Sequence, residues 1–441
     1  MSPPVGEVAR SARGVDRQTA SPLRVEGSAL VAVRRNLRTK CGYSVRSTAT
    51  LRAGAQLNVK SAKGVWGKTR VFPHMPQIIL RTSLLRNSPA DCFGIISKKQ
   101  RTQNERTIMV VINVKIVSMS KDAYYDSECG FVRCGDGVFT QVGNMCDYSP
   151  VHGEEVVDGK GLTLYPGFID AHCHLGMWND ALCFEGEDGN EDTDPSTPHL
   201  RAIDSVNPMD RCFEDAVNAG VTSVCTGVGS ANPIGGSFII MKTWGSKRVD
   251  KLIVKSPAAI KFALGENPKN TYNDRDETPV TRMATAAIIR EQLIKAKRYS
   301  EDIAEYERLK GTEDEISRPD FDIKCEALLP LFDKEHPLKA HFHCHRADDI
   351  FTAQRLANEF GLDYVLIHCT DGALIADELA EDSPAIVLGP IFGDRGKPEL
   401  ANHDISTPAV LSGSGLRFAL CTDHPETPIQ YLSLIHISEP T

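Results

Sequence analysis

The chain has 441 residues, 41% of them hydrophobic and 24% charged, and a net charge of −8. No run of about 18 apolar residues occurs, which excludes a membrane-spanning helix and predicts no membrane partner. The 13 cysteines lack a spacing framework and the first residues lack the apolar core of a secretory signal, so we predict a cytoplasmic protein, with organelle targeting left open.

Residues 1–106 differ from the rest in charge. They contain 20 Lys and Arg against 5 Asp and Glu, whereas the remainder contains 30 against 53. The basic residues show neither helical periodicity nor interleaved aromatic residues, so we expect no nucleic-acid partner. We interpret 1–106 as a basic, disordered extension. Two alternatives stay open: a transit peptide, or untranslated sequence read as protein, with Met109 as the natural start.

A small β domain is predicted over residues 107–163. Residues 108–117 form a β-branched run typical of a buried strand. Shorter strands are expected at 130–133, 138–142 and 155–157, separated by Gly, Asn and Asp.

A larger α/β domain is predicted over residues 164–432. Strand patterns alternate here with helical patterns, which predicts a parallel sheet, open or closed. We expect strands at 163–169, 220–226, 258–264, 338–344, 364–368, 385–388 and 416–421. We expect helices at 208–219, 280–309, 347–360 and 372–380, and a loop at 227–236.

The strongest local motif is His172-Cys173-His174, at the end of the strand expected over 163–169. In a strand, residues i and i+2 point to the same side, so both imidazoles face one way. Two imidazoles at this spacing can share one metal ion. Asp170 stands two residues earlier and could orient one of these ligands.

Further metal-binding residue types follow later strands. His341, His343 and His345 alternate along one strand, His368 ends the next, and Asp423 follows the strand expected over 416–421. The carboxyl ends of the strands of a (β/α)8 barrel converge on one mouth, where these side chains would meet. This convergence is the reason for preferring a site over unrelated buried histidines.

These residues resemble the amidohydrolase superfamily, in its imidazolonepropionase-like branch. The similarity lies in residues 166–176 (PGFIDAHCHLG), His343, His368 and Thr422-Asp423, which occur in the family's order. It implies a (β/α)8 TIM barrel beside a small β-sandwich, with one or two divalent ions, zinc before iron or manganese. The ligands implied by the resemblance are His172, His174, His343, His368 and Asp423.

Two ligand assignments stay open. Some relatives add a bridging glutamate or carboxylated lysine, for which Glu266 and Lys261 are the candidates, and we prefer Glu266 because it follows the strand. His343 is the preferred ligand among His341, His343 and His345. Residues 433–441 match no part of the family, so we expect an incomplete barrel and a tail outside the family.

The resemblance implies hydrolysis of a carbon–nitrogen bond in a small amide, cyclic amide or dipeptide-like substrate. Asp423 would accept the proton of a metal-activated water, and His345, or His368 if it is not a ligand, would stabilise the oxyanion. Two alternatives remain: an inactive, truncated barrel that only binds a partner, and a deaminase of the same fold. Whether the chain forms a homo-oligomer is open.

Overall fold

A computed structural model describes residues 32–38, 44–47, 108–120, 125–180 and 182–438. The expected disorder of 1–106 lies outside these residues, except for two short strands at 32–38 and 44–47. The last residues of the expected tail, 439–441, also lie outside them. No helix in the described ranges is long and apolar enough to cross a membrane.

The N-terminal strands form one sheet around a small apolar core that includes Met109, Val111 and Val132. The sheet runs β2-β1-β7-β3-β4-β5, with β6 also paired to β3. The resemblance implied a sandwich, whereas the described strands here join a single sheet. Its members are β1 Ala32–Arg38, β2 Ser44–Ser47, β3 Ile108–Ile116, β4 Ser127–Gly135, β5 Val138–Asn144, β6 Glu155–Asp158 and β7 Thr163–Tyr165.

The remaining eight strands form a second sheet whose order follows the chain. Its last strand contacts its first, so the sheet closes nearly into a barrel. This arrangement confirms a TIM-barrel-like fold. The strands are β8 Phe168–Cys173, β9 Val221–Thr226, β10 Ile234–Lys242, β11 Ile253–Ala263, β12 Lys339–Cys344, β13 Tyr364–His368, β14 Ala385–Leu388 and β15 Phe418–Leu420.

One barrel strand departs from the (β/α)8 pattern. Strand β10 runs antiparallel to both β9 and β11, while the other neighbouring pairs between β8 and β15 are parallel. The connection 227–233 is too short for a crossover helix, so β10 folds back beside β9. The sequence analysis predicted a loop over 227–236, and that prediction was wrong in its last part, where β10 begins.

Helices pack outside the barrel. The predicted long helix begins at Arg282, where the Thr281 side chain accepts a hydrogen bond from Ala284 N. The helix predicted over 347–360 ends as expected at Gly361, which has a φ of +67°. The helices are α1 Arg211–Asn218, α2 Glu266–Asn273, α3 Arg282–Leu309, α4 Ile323–Leu328, α5 Ala347–Phe360, α6 Ala376–Asp382, α7 Thr407–Gly413 and α8 Leu432–Ser438.

The segment predicted as one strand over 163–169 belongs to both sheets. Strand β7 pairs with β3, and β8 pairs with β9. Gly167 lies between them, where any side chain would overlap Thr222. The Pro-Gly step therefore sets where the first barrel strand starts.

The expected tail begins inside a helix. Ile435 of α8 is fully buried and belongs to the same apolar core as Phe342 and Leu366 of the barrel. Ile435, in the expected tail, thus contributes to barrel packing, and the domain boundaries proposed from the sequence remain predictions.

Candidate metal centre

Three side chains meet where the barrel closes. His174 Nε2 lies 3.2 Å from Asp423 Oδ1, and His172 Nε2 lies 3.6 Å from the same oxygen. We call these three residues the first cluster. All three are buried, and their ligand atoms lie within 4.8 Å of one another.

Strand pairing fixes the first cluster. His172 and His174 point the same way because they are two residues apart at the end of β8. Asp423 N donates to His172 O over 3.2 Å, which holds the segment after β15 against β8. Asp170 accepts from Thr422 N over 3.2 Å and from the Thr422 hydroxyl. Asp170 therefore positions the residue before Asp423 rather than an imidazole ring.

A second group of histidines lies beside the first. It contains His343 at the end of β12, His345 just after it, and His368 at the end of β13; their ligand atoms also lie within 4.8 Å of one another. We call these the second cluster. The rings of His172 and His368 have centroids 5.6 Å apart, so the two clusters adjoin.

Hydrogen bonds orient the rings. His174 Nδ1 lies 2.7 Å from Gly227 O, and His368 Nδ1 lies 2.7 Å from Gly389 O. A carbonyl only accepts, so in both rings Nδ1 carries the hydrogen and Nε2 keeps its lone pair. His343 Nδ1 bonds Ser230 Oγ, and His345 Nδ1 bonds Thr370 Oγ1. Each of these four rings is thus held from outside the site.

The inner ring atoms fit a divalent cation. Nε2 of His343 and of His368 is buried without a hydrogen-bond partner among the described residues. Burial lowers the pKa of His368 to about 4 and that of His172 well below its ordinary value. These rings are therefore neutral near pH 7, which is the form that binds metal. Imidazole and carboxylate donors suit zinc, iron and manganese.

The pKa values of two carboxylates at the first cluster are shifted in opposite directions. Burial alone would raise the pKa of Asp423, but His368 and His174 hold it below its ordinary value. Burial raises the pKa of Asp170 to about 7, although the hydrogen bonds from Thr422 oppose the shift. Asp423 is thus the carboxylate kept ionised at this site.

Lys261 and Glu266 lie in different places. Lys261 is fully buried inside the barrel, and its Nζ is 3.2 Å from His172 Nε2. Burial lowers the pKa of Lys261 to about 8. Glu266 starts α2 beyond Gly265, and its carboxylate accepts from Asn270 Nδ2 and Glu399 N. The structure does not bring Glu266 into either cluster, because the turn at Gly265 (φ +83°) directs the chain away from β11.

His341 joins neither cluster. It lies one inward-facing position before His343 on β12, with its ring centroid 6.2 Å from that of His172 and 5.5 Å from that of Phe238. Burial lowers its pKa to about 3. It is therefore a neutral side chain deeper in the barrel.

Several contacts around the site were not predicted. Ser230, Thr370 and the carbonyls of Gly227 and Gly389 hold ligand rings, but serine, threonine and glycine in loops carry no distinctive sequence signal. Glu399 is also buried beside His343 and His345, with Lys397 against it. It is distant in sequence from every predicted ligand, so only the folded chain reveals it.

Comparisons with known proteins agree with this geometry. A solved amidohydrolase from Thermotoga maritima is 38% identical, with a TM-score of 0.68, and the match covers 74% of this chain and 82% of that chain. No family model matches the chain.

Two curated proteins match over smaller shares of their own length. The amidohydrolase tasK of Hapsidospora irregularis is 26% identical over 327 residues, which cover 69% of this chain and 33% of that protein. An imidazolonepropionase of Phocaeicola vulgatus is 45% identical over 47 residues, 11% of each chain. The matches thus span a third or less of these curated relatives. The solved relative, with its identity and coverage, shows that this chain belongs to the amidohydrolase superfamily.

Proposed function

We propose that this chain is a metal-dependent hydrolase of a carbon–nitrogen bond in a small amide, cyclic amide or dipeptide-like molecule. The observation that carries the proposal is the pair of adjoining buried clusters, with unpaired His343 Nε2 and His368 Nε2 facing inward. Buried polar atoms without partners are costly, and a divalent cation would satisfy both nitrogens. Zinc is our first choice of ion, with iron and manganese as alternatives.

The first cluster and the second cluster would each hold one ion. When bound, a divalent cation supplies Lewis acidity that polarises a carbonyl and acidifies a nearby water. Lys261 replaces Glu266 as our candidate for the side chain shared between the two positions, because its Nζ reaches His172 Nε2 at 3.2 Å. The resemblance implies that a lysine in this role would be carboxylated.

Asp423 would transfer a proton from water to the leaving nitrogen. Its carboxylate lies 3.2 Å from His174 Nε2 and is ionised near pH 7, because its pKa lies below the ordinary value, so it can accept a proton from water. The same oxygen can then deliver that proton to the leaving nitrogen. Burial at the barrel mouth strengthens these interactions by excluding bulk water.

His345 has two candidate roles. The sequence analysis assigned it to the oxyanion, but its Nε2 lies with those of His343 and His368 in the second cluster. We therefore propose His345 as a ligand of the second ion.

The test is metal analysis combined with a substrate screen on the full chain. Protein prepared with zinc, iron or manganese is expected to bind about one or two ions per chain and to hydrolyse an amide, lactam or dipeptide. Chelation should abolish turnover, and the same metal should restore it. Folded protein that binds none of the three metals contradicts the proposal. Turnover confined to aminated heterocycles would identify a deaminase, and bound metal without turnover on any substrate would favour a binding protein.

A further inference from the structure

Glu399 is a buried carboxylate beside the second cluster that the proposed function does not use. It lies in the short turn Pro398–Leu400, between β14 and α7, and is only 1% exposed. Its Oε1 is 3.6 Å from His343 Nε2 and 3.6 Å from His345 Nε2. One carboxylate oxygen is thus equally distant from two inward-facing ring nitrogens.

These two distances fit ligands that share an ion. They exceed the length of an N–H···O hydrogen bond, about 2.7–3.2 Å. Ligand atoms bound to one tetrahedral zinc ion at about 2.0–2.2 Å lie about 3.3–3.6 Å from each other. The spacing of Glu399 from both rings is therefore that of a common coordination sphere.

The rest of Glu399 is held in place by the start of α2. Its Oε2 accepts from Glu266 N over 3.0 Å, and its own N donates to Glu266 Oε2 over 3.2 Å. This reciprocal pair leaves Oε1 facing the histidines. Glu266, which lies in neither cluster, thus holds Glu399 in place beside the second cluster.

Lys397 contacts the same oxygen of Glu399, Oε1. Its Nζ lies 2.7 Å from Glu399 Oε1 and donates to Asn267 Oδ1 over 3.0 Å. The lysine side chain is 31% exposed, so it can swing into water, whereas Glu399 is enclosed. An ammonium group and a divalent cation would compete for one carboxylate.

We propose that Glu399 is a ligand of the cation held by His343 and His345, and that Lys397 competes with this cation for the carboxylate. The inference rests on the proposed function, because the second cluster must hold an ion. It adds a ligand from a segment between β14 and β15 that contains none of the motif residues on which the resemblance rests.

The experiment measures Zn²⁺ stoichiometry and affinity of the full chain by competition with a chelating dye. Glu399→Gln is expected to lower the affinity for one of the bound ions by at least about tenfold, because the amide carries no charge. Lys397→Gln is expected to raise the affinity for Zn²⁺, because it removes the ammonium group that competes for the carboxylate. Glu154→Gln is the matched control: its side chain is also buried, 2.8 Å from Arg133, but it lies just before β6 of the N-terminal sheet.

The opposite signs make the result decisive. If Glu399 serves only to neutralise Lys397, neither substitution raises or lowers Zn²⁺ affinity, and the inference is overturned while the proposed function stands. If the unsubstituted chain binds none of zinc, iron and manganese, both are overturned; if it binds only iron or manganese, the same three variants are compared with that ion. Should Glu399→Gln fail to fold, Lys397→Gln still decides, because an affinity that does not rise contradicts the competition.

Discussion

The two clusters are built from similar side chains but are held differently. The first cluster depends on barrel closure, since His172 and His174 lie on β8 and Asp423 follows β15, where β8 and the segment after β15 exchange backbone hydrogen bonds. The second cluster depends on the parallel neighbours β12 and β13, in which Cys344 is paired with His368. We propose proton transfer at the first cluster only, because that cluster contains Asp423.

The largest expected effect tests whether Asp423 of the first cluster transfers the proton. Asp423→Asn keeps the shape but loses the proton acceptor, so kcat should fall by about 10²–10⁴-fold. Steady-state kinetics on the substrate found in the screen would measure it. Asp322→Asn is the control, because Asp322 only caps α4 through Lys324 N and Cys325 N. A near-normal kcat for Asp423→Asn would contradict the proposed proton transfer by Asp423.

The second prediction concerns His345. If it is a ligand, His345→Gln should lose one bound ion and lower kcat by about 10–100-fold. Metal stoichiometry and turnover are measured on the same sample. Full metal content with reduced kcat would instead assign His345 to the oxyanion, and the second cluster would then have one ligand fewer than proposed.

A smaller effect tests how barrel closure supports the first cluster. Thr422→Val removes the hydroxyl that donates to the Asp170 carboxylate. We expect about tenfold lower kcat, and a free energy of unfolding lower by about 1–3 kcal/mol, because Asp170 loses a buried partner. Thr427→Val is the matched control, since its buried hydroxyl bonds Phe392 O instead. Equal losses of kcat in both variants would contradict a specific role for the Asp170–Thr422 contact.

The last prediction concerns stability and not turnover, and it separates His341 from both clusters. Its pKa is about 3 in the folded protein and ordinarily 6.5, so between these values the unfolded chain binds the extra proton. The stability of metal-free protein should therefore be full above pH 6.5 and fall as the pH drops, by about 1.4 kcal/mol per pH unit from this residue. Urea unfolding of His341→Gln should show a shallower pH dependence. His152→Gln, at an exposed site, is the control and should leave the pH dependence of the free energy of unfolding unchanged. The same result for His341→Gln would contradict the lowered pKa of His341 in the folded protein.

Much of the fold and part of the site could be predicted from residue patterns. The His-x-His spacing places two rings on one side of β8 whatever surrounds it, because strand periodicity is local. Strong patterns also located β3, β12, β13 and α5 close to their observed bounds. Strand β10 was missed because its Gly235-Gly236 pair indicates a loop, and its pairing with β9 and β11 overrides that local preference.

The sequence by itself determined which residue types could bind metal and that they follow separate strands. Only the tertiary structure separated Lys261, which contacts His172, from Glu266, which lies in neither cluster, because their positions depend on where β11 ends and how Gly265 turns the chain. It also brought Glu399 to His343 and His345. Coordination requires atoms a few ångströms apart, and in this chain that proximity is set by barrel closure and loop packing, which no local pattern encodes.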